Sequence, residues 1–385
     1  MNSMLQKSLS RYCVLGLMVL SFASLYGCSG TKRRVPANLT PIQASVTLER
    51  AWQTGVGSSL HFDFHPIVIG NRIYTNSETG KVSAVDVATG QIQWATTVPK
   101  ALNTGIGGDS RIIVVGGAKG DIFALDAQTG APMWDTSVGT QVLTEPLVAG
   151  AVVVIRTIDN RFIGLDALSG KRLWVTVKNP SVLSLRSSYS MVSINNEVLL
   201  TGFSGGQFGM IELANGNPLW ESLLAPPKGT SEIERLSDIT AKPSLFGQKM
   251  CLVSYQGKIG CGDLRAAKIP WAKDFSSFSG TTQSPAAVFA VNEKSHLVGF
   301  DSSSGKELWR NEKLVWRDLG EPLAIPQFVI AGDGQGFIHL FSQETGELVG
   351  REKVDGTQIS AAPVIAQDLL LVQTRGGNLA AYKLK

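Results

Sequence analysis

The run GKVSAVDVATGQIQW, residues 80–94, decides how this chain is read. Lys81-Val82-Ser83-Ala84-Val85 and Gly90-Gln91-Ile92-Gln93-Trp94 both alternate with period two, the pattern of half-buried strands. Between these arms Asp86 can accept backbone N–H bonds to start a turn, and Gly90 supplies the positive φ needed to leave it. The phrase returns as GDIFALDAQTGAPMW at 120–134 and NRFIGLDALSGKRLW at 160–174, which spaces Trp94, Trp134 and Trp174 by 40 residues. Asp126, Asp166 and Asp301, with Gly130, Gly170 and Gly305, repeat the turn, so these aspartates are turn formers and not catalysts.

Weaker copies follow: IELANGNPLW (211–220), CGDLRAAKIPW (261–271) with Ala267 in the glycine's place, and GFDSSSGKELW (299–309). In a seventh copy, FSQETGELVG (341–350), Gly350 stands where tryptophan is due. Pro66, Pro146, Pro243, Pro285, Pro322 and Pro363 keep the same phase, each opening an apolar strand. A tryptophan buries roughly 150–250 Å², worth roughly 4–6 kcal/mol before entropy, and one repeat cannot bury that ring alone. Units of this length with four expected strands and no amphipathic helix are propeller blades. The chain after Lys353 supplies three further strands, and the missing fourth lies at Val46–Gln53, where Trp52 keeps the repeat spacing. Pairing the first strand with the last three closes an eighth blade and removes open edges. The expected fold is all-β, an eight-bladed propeller of four-stranded antiparallel blades over 46–385, with seven blades the alternative.

Length alone, 385 residues, would suggest two or three domains. A composition of 43% apolar and 17% charged residues excludes intrinsic disorder, and a net charge of +4 is too small for the basic field of a nucleic-acid binder. Residues 1–27 carry Lys7 and Arg11 and no acid, then an apolar run of about 15 residues, too short for a permanent membrane span. The run ends in Leu25-Tyr26-Gly27-Cys28, which resembles a bacterial lipobox. That resemblance implies cleavage before Cys28 and acylation of Cys28, palmitate being a typical chain, an ordinary cleaved signal being the alternative. Several acyl chains on one residue anchor stably where one does not. Ser29 after the cysteine implies sorting to the outer membrane. Residues 28–45 hold two prolines and no apolar period and read as a flexible tether reaching roughly 60 Å if extended. Losing residues 1–27 lowers the formal charge from +4 to +2.

Cys251 and Cys261 flank a strand, turn, strand run and would lie nearly opposite one another. A disulfide and a pair of buried thiols both remain open, and neither implies catalysis.

The repeat resembles the quinoprotein, or PQQ-like, β-propeller family, whose blades carry A-x-D-x-x-T-G-x-x-x-W. Ala84 to Trp94 and Ala124 to Trp134 match it in full. Some members are quinone-dependent dehydrogenases with adjacent cysteines and an acidic calcium site. Adjacent cysteines do not occur in this sequence, a departure from the dehydrogenase pattern, so no cofactor, no metal and no enzyme are expected. His61 and His65 precede the strand at Pro66 and read as loop residues; His296 and His339 read as packing. The glycine strings at 106–108 and 202–206 lack the following helix and lysine of a phosphate loop.

The stretches after Trp174 and Trp220 are longer than the other connections and bracket blade four, so they share one face of the disc. They contain Leu183, Leu185 and Arg186, and Ile233, Glu234, Arg235, Leu236 and Asp238. Apolar anchors beside arginine and carboxylates are the composition of an interface, packing on the blade rim being the alternative. With the lipobox, LSLR before blade four and ERLSD after it, the chain resembles the lipoprotein scaffolds of the outer-membrane β-barrel assembly machinery. That family docks on the periplasmic POTRA domains of the barrel-forming subunit BamA, beside other assembly-machinery lipoproteins, and assists unfolded outer-membrane protein precursors. The resemblance assigns Leu183, Leu185, Arg186 and Asp238 to BamA binding. Thr240 stands where the family has a second aspartate. The competing readings are an envelope propeller that binds glycan or another partner, and a PQQ-dependent dehydrogenase.

Overall fold

Each repeat folds into one antiparallel sheet because its alternating arms have one covered face on each side and a turn wherever the Asp–Gly pair falls. In the computed structural model the described residues are 34–179, 183–185, 189–266 and 268–385. The expected signal segment, Cys28 and Arg186 lie outside them. Residues 36–385 form one compact unit.

Eight four-stranded sheets make up that unit. Blade one consists of Ile67–Ile69, Arg72–Asn76, Lys81–Asp86 and Ile92–Thr97, paired in that order. The outermost strands of blades two to seven end at Ser137, Val177, Leu223, Asp274, Asn311 and Lys353. Blade eight joins Val364–Ala366, Leu369–Gln373 and Asn378–Leu384 to the N-terminal strand Leu48–Gly55, with Leu48 opposite Leu384 and Gly55 opposite Asn378. The fold is therefore an eight-bladed β-propeller closed by its first strand, and seven blades are excluded.

The core is a ring of apolar seams between neighbouring sheets. Ile112, Val114, Ile122 and Ala124 of blade two meet Val153, Ile155, Ile163 and Leu165 of blade three, and a seam of this kind also joins blade eight to blade one through Leu371, Leu379, Ile73 and Val85. The recurring tryptophan clamps the seams from outside, except that between blades seven and eight: Trp94 Nε1 donates to the Ala127 carbonyl at 3.1 Å, Trp134 to Ala167 at 2.9 Å, and Trp52 to Val87 at 2.9 Å. The turn glycine is needed for two reasons. Gly130 has φ +72°, and a Cβ there would lie 2.4 Å from the Trp94 ring of the preceding blade. Asp126 accepts from Gln128 N, Thr129 N and Thr129 Oγ1, which confirms the turn role read from the repeat.

Gly350 has its own cause. Blade eight takes its outer strand from the other end of the chain, so no Asp–Gly turn stands beside blade seven's outer strand. The arriving N-terminal chain occupies that place: Ser45 N donates to Val349 O at 2.9 Å, and a Cβ on Gly350 would lie 2.9 Å from Val46 O.

Part of the expected tether is bound. Ala37 N donates to Val315 O, Arg317 Nη1 donates to Ala37 O and Arg351 Nη1 donates to Thr40 O, while Leu39 and Ile42 pack on the seam between blades six and seven. The flexible stretch read over 28–45 therefore does not extend through 37–45. Two apolar residues are too few to show a period, and their partners are distant in sequence.

Cys251 and Cys261 are opposite one another on neighbouring strands and joined by a disulfide, with Cα atoms 4.1 Å apart inside the blade-five seam.

Candidate functional site

Both long connections run over the same face and are tied together by Asp238. Its Oδ2 accepts from Leu185 N at 2.6 Å and from Tyr189 Oη at 2.7 Å, and its Oδ1 accepts from Gly205 N at 3.0 Å. One carboxylate from the second loop thus fixes the first loop and the turn inside blade four. Ser190 N adds a bond to the Thr240 carbonyl at 3.0 Å, so Thr240 contributes through its backbone while its side chain is buried. Burial, then the Asp238 charge, push the Tyr189 phenol far above its ordinary pKa, which keeps it the proton donor of the pair.

Asp238 itself is fully buried. Through its bond to Leu185 N it sets the backbone of the first loop. Leu183, in contrast, is 42% exposed, and Ile233 on the second loop is 67% exposed. Glu234 closes its own turn by accepting from Thr230 N and Ser231 N. The loops therefore expose the apolar side chains Leu183 and Ile233, the latter among the exposed charges Glu232, Glu234 and Arg235, and Leu185 is half-buried.

Below the first loop is a residue the sequence reading passed over. Arg156, at the end of strand Val152–Arg156, is 2% exposed, and its guanidinium lies 4.4 Å from the Tyr189 ring centre, 4.9 Å from Phe162 and 5.5 Å from Phe203. Nη1 donates to Thr201 Oγ1 and to Gly202 O. The signal was in the register. Opposite Arg156 is Phe162, and the equivalent places in the seven other blades hold Asn76, Gly116, Gly202, Val253, Val291, Gly332 and Gln373. Arg156 is the one charge in that set.

Around the axis lies a cavity of about 510 Å³ whose walls include Asp63, His65, Leu185, Lys242, Tyr255 and Glu321. His65 Nδ1 meets Glu145 Oε1 at 2.5 Å and His65 Nε2 stands 3.6 Å from Glu321 Oε2. Burial alone would lower the His65 pKa, but Glu145, and after it Glu321 and Asp63, carry it to about 9. His65, Glu145 and Glu321 each precede one of the repeat prolines, and so the innermost strands of blades one, three and seven are joined across the axis. A quinone bearing several carboxylates would meet four carboxylates in this lining, beside the cations Lys242 and Arg375. Asp63, Glu293, Asp318 and Glu321 face the same space, His65 is committed to Glu145, and Arg375 is paired with Asp63. His61 hydrogen-bonds Glu78, and His339 is buried against Asp333.

Comparison with known proteins adds the following. A family model described as outer membrane protein assembly factor BamB matches residues 49–311. The outer membrane protein assembly factor BamB of Burkholderia pseudomallei is 37% identical over 368 residues, covering 95% of both chains. The crystal structure of BamB from Moraxella catarrhalis superposes with a TM-score of 0.80 at 23% identity, over 87% of this chain and 99% of that one. A quinohemoprotein alcohol dehydrogenase from Pseudomonas putida shares the fold at a TM-score of 0.69 and 14% identity, over 87% of this chain and 76% of that one.

Proposed function

The chain belongs to the outer membrane protein assembly factor BamB family, and from that membership we propose that it is a non-enzymatic scaffold lipoprotein of the outer-membrane β-barrel assembly machinery. Residues 1–27 are its signal peptide, and acylated Cys28 holds it to the periplasmic face of the outer membrane. The loops around blade four dock on the POTRA domains of BamA, beside the other lipoproteins of the machinery, and the propeller assists delivery and insertion of unfolded outer-membrane β-barrel precursors.

The observation that carries this reading is the Asp238 latch. A buried carboxylate that accepts three bonds from two other segments gives Leu185, two residues after Leu183, a fixed place on an otherwise irregular loop, and pre-ordering a contact loop lowers the entropy lost on binding. Leu183 then fills an apolar notch on the partner, and Arg186 supplies the charged contact.

Co-purification with BamA from solubilised membranes tests it. Leu183→Asp is expected to lower recovery of BamA at least tenfold, about 1.4 kcal/mol or more. Its melting temperature should stay within about 2 °C of the parent, because Leu183 is exposed. Full recovery of BamA with Leu183→Asp refutes docking through this loop.

A further inference from the structure

The axial cavity of about 510 Å³ holds more acids than its own cations balance. Arg375 is paired with Asp63, and His65 with Glu145. Of the other charged groups in the wall, Glu293, Asp318 and Glu321 face Lys242 alone, three carboxylates against one ammonium, an excess of two negative charges. Glu293 and Asp318 make no ion pair with a described residue, and Glu321 reaches His65 only at 3.6 Å. Burial raises the Glu321 pKa above its ordinary value although His65 and Lys242 pull it the other way, so that carboxylate is under-neutralised.

A second observation at this cavity does not involve charge. Thr240 is 3% exposed and lines the cavity, and Ser190 N takes its carbonyl. Its hydroxyl has no hydrogen-bond partner among the described residues, yet neighbouring atoms do not seal it off, so it opens onto the cavity as an unused acceptor. Leu185 and Leu319 supply apolar wall that suits an alkyl stem, and the Tyr255 and Phe278 rings in the same lining suit an ammonium group. Among the described residues no three His, Cys, Asp or Glu groups converge closely enough to hold a metal ion, so the acids suit separated ammonium groups better than one compact cation.

We propose that the axial cavity is a binding site for alkylammonium groups, in which two ammonium groups on an aliphatic stem pair with the wall of Glu293, Asp318 and Glu321 and one of them donates to the Thr240 hydroxyl. An ammonium donates three hydrogen bonds and accepts none, which matches a lining with acceptors to spare. Two sources share this chemistry: a free linear diamine or polyamine, and lysine side chains of the protein docked at the long loops, whose Leu185 is part of the cavity wall. Ammonium binding stands on the cavity alone, whereas delivery by BamA rests on the docking reading above.

The test uses the full mature protein in detergent and isothermal titration calorimetry, with 1,5-diaminopentane as the probe and 1,5-pentanediol as the uncharged control. The diamine should bind one to one with a Kd below about 1 mM, and the diol should give no saturable heat. Glu293→Gln combined with Asp318→Asn should weaken the diamine at least about tenfold, because two of the three free carboxylates lose their charge. Thr240→Val, of nearly the same shape, should weaken it about fivefold, as loss of one hydrogen bond implies. Thermal melts show that each variant is folded. No saturable heat from the parent with the diamine, or undiminished binding by the folded double variant, overturns the site. Co-purification with BamA in excess diamine, at matched ionic strength, then separates the sources: reduced recovery assigns the cavity to lysines of the partner, and unchanged recovery assigns it to a free amine. If the parent recovers no BamA without diamine, the docking reading fails while the calorimetric result stands.

Discussion

Two arginines of this propeller are equally buried and differently partnered. Arg317, 3% exposed near blade seven, reaches Asp333 Oδ2 through Nε at 2.8 Å and Nη2 at 2.7 Å, Gln335 through Nη2 and the Ala37 carbonyl through Nη1. Asp333 also accepts from the backbone of Gln335 and Phe337 and bonds His339 at 2.9 Å. Arg317, Asp333 and His339 all have partners within the chain, one of them supplied by the N-terminal segment, while Nη2 of the adjacent Arg351 has none. Arg156, beneath the long loops, has two neutral acceptors, three aromatic faces and one unused nitrogen. Arg317 is therefore neutralised by a carboxylate in direct contact, whereas Arg156 has only neutral acceptors and aromatic faces.

The strongest way to break that comparison is at Asp333. Asp333→Asn leaves Arg317 buried without its counter-charge, and chemical denaturation should show a loss of about 3–5 kcal/mol. A loss below about 1 kcal/mol would mean that Arg317 is not held by this pair.

A smaller effect is expected at His65, which touches both regions through Glu145 and Glu321. Its folded pKa, about 9, is above the ordinary value of 6.5. The ion contact therefore stabilises the fold fully below about pH 6.5, and the contribution is lost as pH rises through 9. A third of the ring is open to the channel, which screens the contact. Melting temperature followed from pH 6 to 10 should fall more steeply for the parent than for His65→Gln. Parallel curves would remove the axial contact from the stability of the ring.

The smallest change is expected at Arg156. Replacing an unpaired buried ion by an apolar residue of similar length is often neutral, so Arg156→Met should stay within about 1 kcal/mol of the parent in the same denaturation experiment. A loss as large as that at Asp333→Asn would make the two arginines alike and end the comparison.

How much of this was legible depended on whether the partners were near in sequence. The Asp126–Thr129 turn and the strands at 81–86 and 92–97 follow from local alternation and turn chemistry, and both were readable. Trp94 was readable as a packing residue, but that it lies over Gly130 of the next blade was not, because that contact spans one whole repeat. Asp238 was singled out by resemblance, but its bond to Leu185, 53 residues earlier, was not readable. Arg156 carried a register signal only once the blades were aligned strand by strand.

The sequence by itself determined the repeat, the number of blades, the closing strand and the two loops that break the rhythm. Each of these is written in spacing, alternation and turn residues that act over a few positions. The tertiary structure alone decided which polar groups are satisfied: that Asp238 faces inward, that Arg317 is paired, that residues 37–45 are bound and that Arg156 is not neutralised. Ring closure brings together residues from opposite ends of the chain, and burial raises the cost of a missing partner, so charge satisfaction is fixed only when every blade is in place.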